Sequence, residues 1–285
     1  MSTMHLSKLH ATGNDFLVRL ALDPRSDGEL DARAVAALCD RHRGVGADGL
    51  LTILPGGDGA DCTMRLVNAD GGHAEMSGNG VRCLAWVAAR AGLARGDELV
   101  VATDAGHRTV RLERLAGAVV GADVDMGPVT FAPERIPVDA ADPFDLSATV
   151  AAVTYRGDAA GIGNPHLVLF VDDPAAVPVA EHGAVLEHDA RFPKRTNVEF
   201  VAVTAPDRIR MRVWERGAGE TQSCGTGACA SAAVAHRRAL VGDRVFVDVD
   251  GGELTVELGP TVWLGGPVVH IFDVDVPWIA MVSTA

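Results

Sequence analysis

Ser77-Gly78-Asn79-Gly80-Val81-Arg82-Cys83-Leu84-Ala85-Trp86-Val87-Ala88-Ala89 has a counterpart 147 positions later, Cys224-Gly225-Thr226-Gly227-Ala228-Cys229-Ala230-Ser231-Ala232-Ala233-Val234-Ala235-His236. Each stretch opens on a glycine-rich turn and runs into an Ala-rich helical segment, 81–91 in one case and 228–240 in the other. Gly92 and Gly242 supply the C-terminal punctuation.

The repetition continues outward on both sides. Gly13-Asn14-Asp15-Phe16-Leu17-Val18 answers to Gly163-Asn164-Pro165-His166-Leu167-Val168, and Met64-Arg65-Leu66-Val67-Asn68 to Met211-Arg212-Val213-Trp214-Glu215. After each helix comes a hairpin pattern, Gly96-Asp97-Glu98-Leu99-Val100-Val101 with Thr109-Val110-Arg111-Leu112, then Gly242-Asp243-Arg244-Val245-Phe246-Val247 with Leu254-Thr255-Val256-Glu257-Leu258. In a chain rich in Ala, Gly and Val a single match arises by chance. Four in the same order, at nearly constant offset, mark a duplication.

Around these anchors lie short β-branched runs bounded by Gly, Asp and Pro, at 119–124, 166–171, 198–203 and 268–274. Two further helices are expected at 31–40 and 179–188, and the Pro-bearing stretch 126–143 is the expected crossover between halves. The fold class is therefore α+β, with two pseudo-symmetric domains of strands around one central helix each. If the halves pack about a pseudo-two-fold axis, the two glycine-rich turns face one cleft.

The chain has 285 residues, enough for two cores, and a formal charge of −13. Lys8 and Lys194 are the only lysines and the arginines are scattered, which argues against nucleic acid or an anionic membrane as partner. No apolar run reaches the roughly 18 residues of a membrane span, and the N-terminus has no signal-like apolar stretch. These features give a cytoplasmic protein. Its five cysteines, odd in number and lacking a CxxC pair, are expected to be reduced thiols without a metal. Gly44-Val45-Gly46-Ala47-Asp48-Gly49 misses dinucleotide-binding spacing, and no phosphate-binding GxxxxGK[ST] occurs.

A helix N-terminus offers unpaired N–H groups and the positive end of a dipole, so it binds anions and stabilises a thiolate beside it. Cys224 stands at such a start. A cysteine that merely packs needs no flanking Gly225-Thr226-Gly227, whereas Cys39, Cys62, Cys83 and Cys229 read as core thiols. Two such turns across a cleft would offer a carboxylate two sets of N–H donors. They would also place one side chain on each face of an α-carbon, the geometry for removing a proton from one face and returning one to the other.

At these residues the sequence resembles diaminopimelate epimerase. The motifs are His10-Ala11-Thr12-Gly13-Asn14-Asp15-Phe16, Arg43-Gly44-Val45-Gly46-Ala47-Asp48-Gly49, Asn68-Ala69-Asp70-Gly71, Gly78-Asn79-Gly80-Val81-Arg82-Cys83, Gly163-Asn164-Pro165-His166, Asn197-Val198-Glu199, and Glu215-Arg216-Gly217-Ala218-Gly219-Glu220-Thr221 through Cys224-Gly225-Thr226-Gly227. The resemblance implies interconversion of LL- and meso-2,6-diaminopimelate, a small amino-acid substrate, with no cofactor, on the lysine and peptidoglycan route, and a homodimer by analogy. It implies β-barrel-like domains wrapped around their helices, the first of residues 1–122 completed by 267–285 and the second of 123–266.

The resemblance also assigns roles. Cys224 matches one of two acid/base cysteines, and Ser77 stands at the position of the other. His166 and Glu215 match a polar pair near the reacting centre that tunes protonation or activates Ser77. Gly78, Asn79, Gly225 and Thr226 match the N–H donors to the reacting carboxylate. Asn14, Asn68, Asn164, Asn197 and Arg216 match the residues holding the distal amino-acid centre, Arg216 as a bidentate carboxylate partner. Gly49 departs from the family, where a Gln is common.

Ser77 is the larger departure, because a serine hydroxyl is a poor base unless a neighbour activates it. It fits an engineered Cys→Ser change, a natural variant with an activating partner, or altered chemistry. A related racemase or dehydratase acting on another amino acid, and a non-catalytic amino-acid binder, are the competing readings.

Overall fold

The computed structural model describes residues 3–23 and 30–277; the remainder of the expected N-terminal domain, 1–2, 24–29 and 278–285, lies outside the described residues. The chain divides into two compact units, Met1–Val124 with Gly266–Ala285, and Asp125–Gly265.

The first unit runs β1 (Thr3–Ala11), β2 (Asn14–Leu20), α1 (Ala32–Cys39), β3 (Gly49–Pro55), β4 (Cys62–Asn68), β5 (His73–Ala74), α2 (Gly78–Arg90), β6 (Glu98–Thr103), β7 (Gly106–Leu115) and β8 (Ala118–Gly127). The second runs β9 (Leu146–Val150), β10 (Val153–Gly161), β11 (Pro165–Phe170), α3 (Val179–Leu186), β12 (Asn197–Ala205), β13 (Arg208–Glu215), β14 (Gly219–Thr221), α4 (Gly225–Arg237), β15 (Arg244–Val249), β16 (Gly252–Glu257) and β17 (Val262–Pro267). β18 (Val269–Pro277) then returns to the first unit, antiparallel to β1.

The pairings of one unit repeat in the other. β1 with β2, the parallel pair β2 with β3, and β3 with β4 have counterparts in β10 with β11, the parallel pair β11 with β12, and β12 with β13. β4 is parallel to β6 as β13 is to β15. The exception is chain order: β9 precedes the strand it pairs with, while its counterpart β18 comes from the far C-terminus. Trp86 of α2 stacks on His270 of β18 at 4.7 Å, and Arg90 pairs with Asp273, which fastens the returning strand.

Each central helix is wrapped on nearly every side. Residues 78–85 of α2 and 227–235 of α4 are buried without a break, so the small side chains let strands approach closely from several directions. Fully buried Leu51, Ile53 and Leu84 fill the first core, and Leu167, Phe200 and Leu254 the second. Each such side chain contributes about 1.5–3 kcal/mol.

Both helices begin three residues before the Ala-rich runs, at Gly78 and Gly225, because Ser77 and Cys224 act as N-caps that accept from the backbone N–H three residues on. The expected helix 179–188 stops at Leu186, where Glu187 turns its carboxylate to Arg195, Trp214 and the Gly217 N–H. The stretch 128–145 carries one short 3-10 turn, Pro133–Arg135, before β9; neither β9 nor β10 is legible in the sequence pattern. Among the described residues no helix is long and apolar enough to cross a membrane.

A charge network with buried Lys8 and Asp15 at its centre ties β1, β2 and the loop before β3. Asp15 accepts from Lys8 at 2.8 Å and from both terminal nitrogens of Arg41, and Arg41 reaches on to Asp48 at 2.6 Å. Burial alone would raise the Asp15 carboxyl, but the hydrogen bonds and charges of Arg41 and Lys8 hold it down at about 2. A carboxylate depressed on folding stabilises fully above its unfolded value and loses that contribution as pH falls through the folded one. Between pH 3.8 and about 2 the wild-type chain should therefore lose stability that Asp15→Asn has already lost. Thermal melts across pH 2–6 would show the two proteins converging at the acid end; parallel curves would refute it.

Candidate active site

Cys224 caps α4 in extended conformation (φ −119, ψ 111), with its Sγ accepting from the Gly227 N–H at 3.4 Å and lying 3.5 Å from the Thr226 hydroxyl. It is 4% exposed. The thiol also hydrogen-bonds Glu215 at the end of β13, and Glu215 accepts in addition from the Thr221 hydroxyl. Two strands away, the Nδ1 of His166 lies 2.7 Å from Glu199 Oε1 and its Nε2 lies 2.9 Å from Asn164 Oδ1. The Asn164 amide nitrogen donates to Thr226 at 3.3 Å, closing a ring of contacts back to the helix start.

The electrostatics correct one expectation. The helix start was expected to stabilise a thiolate, yet burial pushes the Cys224 thiol well above its ordinary value, and the Glu215 and Glu199 charges push it further. The Thr226 hydroxyl and Gly227 N–H pull against this and do not win. Loss of hydration likewise raises the Glu215 carboxyl, against the hydrogen bonds from Thr221 and Cys224. Burial pushes both groups toward their neutral forms, and the proton between this thiol and this carboxyl is the one the site can move.

In the first unit Ser77 caps α2 in matching conformation (φ −139, ψ 122), its Oγ accepting from the Gly80 N–H at 3.1 Å. Among the described residues no carboxylate or imidazole hydrogen-bonds this hydroxyl. His166, expected as one possible activator, has both ring nitrogens engaged inside its own unit. Cys83, one turn and a half along α2, is buried, and burial pushes its thiol up to about 12, as it does for Cys39 and Cys62.

The expected binding residues divide by unit. Gly225 and Thr226 surround the Cys224 start with Asn164, and Gly78 and Asn79 form the first turn after Ser77. Asn14 donates to Asp48 at 2.6 Å and accepts from Asn79 at 3.4 Å, so the Arg41 network orients it. Asn68 is exposed at the end of β4. Asn197 spends both ends of its amide on backbone, donating to Pro165 O and accepting from the Arg216 N–H, and so clamps the turn that carries Arg216. The Arg216 guanidinium donates to Lys194 O at 3.0 Å and, among the described residues, has no carboxylate partner.

Glu199 was not singled out in the sequence, although it lies in a quoted motif. The signal was there: a lone acid inside the apolar run Val198-Glu199-Phe200-Val201. Its closeness to Cys224 explains Gly227, since a Cβ there would stand 2.7 Å from Glu199 Oε1.

Strands wrapped on a central helix in each of two units, with a capping thiol beside a buried acid in one of them, make an amino-acid isomerase architecture. The same fold is seen in the crystal structure of a hydroxyproline epimerase from Agrobacterium vitis with bound trans-4-hydroxy-L-proline, at TM-score 0.72 and 19% identity, covering 96% of this chain and 92% of that one. The diaminopimelate epimerase family model matches residues 6–132 and 159–262. Diaminopimelate epimerase of Moorella thermoacetica is 43% identical over 96% of this chain and 99% of its own length, and that of Pelotomaculum thermopropionicum 40% over 96% and 99%. The chain belongs to the diaminopimelate epimerase family.

Gly227→Ala should displace Glu199 or Cys224, costing about 1–3 kcal/mol as overpacking and a larger share of turnover than of stability. Melting temperature and kcat measured on the one variant would check this. Wild-type kcat would overturn the close packing.

Proposed function

We propose that the chain interconverts LL- and meso-2,6-diaminopimelate by proton transfer at the α-carbon, as a cytoplasmic homodimer serving lysine and peptidoglycan synthesis. The observation that carries the reading is the Cys224–Glu215 pair at the start of α4. Glu215 takes the thiol proton, the thiolate takes the α-proton from one face of the substrate, and the N–H groups of Gly225 and Thr226 stabilise the carboxylate as negative charge builds. The opposite face receives its proton from the hydroxyl of Ser77, with Gly78 and Asn79 as the matching donors. Arg216 meets the distal carboxylate, and Asn14, Asn68 and Asn164 the polar groups around it.

Among the described residues of its own unit no ionisable group hydrogen-bonds Ser77, and this favours a second reading: exchange at one face only, as in a related reaction on another amino acid. Proton NMR of LL-diaminopimelate in deuterated water separates the two. The wild-type chain should exchange the α-proton and form the meso isomer, with Ser77→Cys faster by roughly 10²-fold and Cys224→Ala slower by 10²- to 10⁴-fold. Because the Cys224 thiol is raised, its ionised fraction grows with pH, and the wild-type exchange rate should climb from neutral into alkaline solution. Exchange without epimerisation supports the one-face reading. No exchange in either the wild type or Ser77→Cys refutes the substrate, and retained activity in Cys224→Ala refutes the role of the thiol.

A further inference from the structure

The two copies of the duplication are in register element by element, and where they differ they show which groups the fold alone does not need. α1 (Ala32–Cys39) and α3 (Val179–Leu186) have the same length, 179 against 32 and 186 against 39, an offset of 147 at both ends. Leu66 faces Ala74 across β4 and β5 as Val213 faces Thr221 across β13 and β14, again at that offset. By the same offset Asp40 answers to Glu187 at the helix ends, Ala36 to Gly183, Val67 to Trp214 and Ala69 to Arg216. Asp40 serves its own helix end, its carboxylate accepting from the His42 and Arg43 N–H groups at 2.8 Å each. In that unit the Ala69 N–H is satisfied by the main-chain oxygen of Asp48. Nothing more is needed to end the helix and hold the turn.

Glu187 is longer by one methylene and is buried, and its carboxylate leaves the end of α3 for the turn between β13 and β14. Oε1 accepts from the Gly217 N–H at 3.1 Å and from Arg195 Nη1 at 2.9 Å, and Oε2 accepts from Trp214 Nε1 at 2.8 Å. All three partners are donors, so a group with two acceptor oxygens fits where an amide would turn its NH2 on one of them. Gly183 belongs to the same arrangement. A Cβ there would stand 2.4 Å from the Trp214 Cβ, so the copy with the tryptophan has glycine where the other sets Ala36 beside Val67. Trp214 and Gly217 flank Arg216 in the chain, and Arg216 is itself tied to the connection that begins at Glu187, its N–H donating to Asn197 Oδ1 and its guanidinium to Lys194 O at 3.0 Å. Burying a carboxylate carries a desolvation cost. That cost is met in the copy whose turn carries an arginine, and not in the copy whose turn carries Ala69.

We propose that Glu187 is a positioning residue for substrate selection: by tying Trp214 and Gly217 on either side of it, the carboxylate holds Arg216 where its guanidinium meets the distal carboxylate of the substrate. This rests on the role of Arg216 in the reaction proposed above and adds the group through which the fold fixes that arginine. Glu187 touches no substrate and takes no part in the proton transfer. An arginine loses rotamer freedom when it grips a carboxylate, and a turn fixed in advance lowers that cost, so the effect of Glu187 falls on binding and not on the chemical step.

Steady-state kinetics of the full chain on LL-diaminopimelate, run as a double-mutant cycle, test this. Glu187→Gln should raise KM roughly tenfold, the loss of one charge-assisted hydrogen bond, and leave kcat within about twofold of wild type. Glu187→Asp, which copies the first unit, should fold and raise KM to a similar extent. Combined with Arg216→Ala, neither change should add a further rise, because the contact it supports is already gone. A wild-type KM in both Glu187 variants overturns the proposal. So does a rise that adds in full to that of Arg216→Ala, the mark of an effect not routed through the arginine. Amide hydrogen exchange read by NMR without substrate gives a second arm. The Gly217 N–H should exchange about tenfold faster in Glu187→Gln while the amides of α4 keep their wild-type rates; an unchanged Gly217 rate also overturns the proposal. A wild-type KM in Arg216→Ala alone faults the reading of Arg216, and the exchange arm, which needs no substrate, then shows separately whether Glu187 holds the turn.

Discussion

The site depends on how near a helix start can come to a sheet. At Gly227 a Cβ would stand 2.7 Å from the terminal oxygen of Glu199, which is buried and held against His166, so the acid would have to shift. A glycine in a first helical turn costs up to about 1 kcal/mol in conformational freedom, and here that loss brings a cap thiol, a buried carboxylate and the free N–H groups of α4 into one small volume. The Ala-rich body of α4 extends the same economy, since a helix of small side chains can be enclosed by strands without holding them off.

Both units meet this constraint with the same topology and different contents. Around the Ser77 start the neighbours are hydrocarbon and amide: Phe16, Leu51 and Asn68 at the positions where the other unit has His166, Glu199 and Glu215. Titratable groups have accumulated on one copy of the duplication. The polar investment of the first unit lies instead in the Lys8, Asp15, Arg41 and Asp48 network, which orients Asn14 and leaves Ser77 to its cap bond.

Much of this was legible in the sequence, for a physical reason in each case. The duplication showed because both copies need glycines at the same helix starts, and the start signal at Cys224 needed only a cap residue followed by Gly225-Thr226-Gly227. α1 was foreseen within a residue at each end because Asp31 caps it. β9 and β10 were not, since their runs 146–150 and 153–161 are broken by Ala and Gly and owe their strand form to pairing with β11. Glu199 escaped because its importance lies in what faces it across the sheet, and the bonds of Asn197 to Pro165 and Arg216 were not foreseen because a sequence cannot say which partners an amide takes.

The sequence also misjudged the thiol, and the reason bears on mechanism. A helix N-terminus favours an anion through about half a unit charge of dipole, but this one is sealed under strands beside two carboxylates, and lost hydration outweighs it. A site so arranged is a weak base at rest. Its thiol can give up a proton only if a neighbouring group receives it, and Glu215 is buried beside it. In the same unit His166 and Glu199 stand where the other copy has phenylalanine and leucine, so the polar groups that share this helix start belong to one copy of the duplication alone.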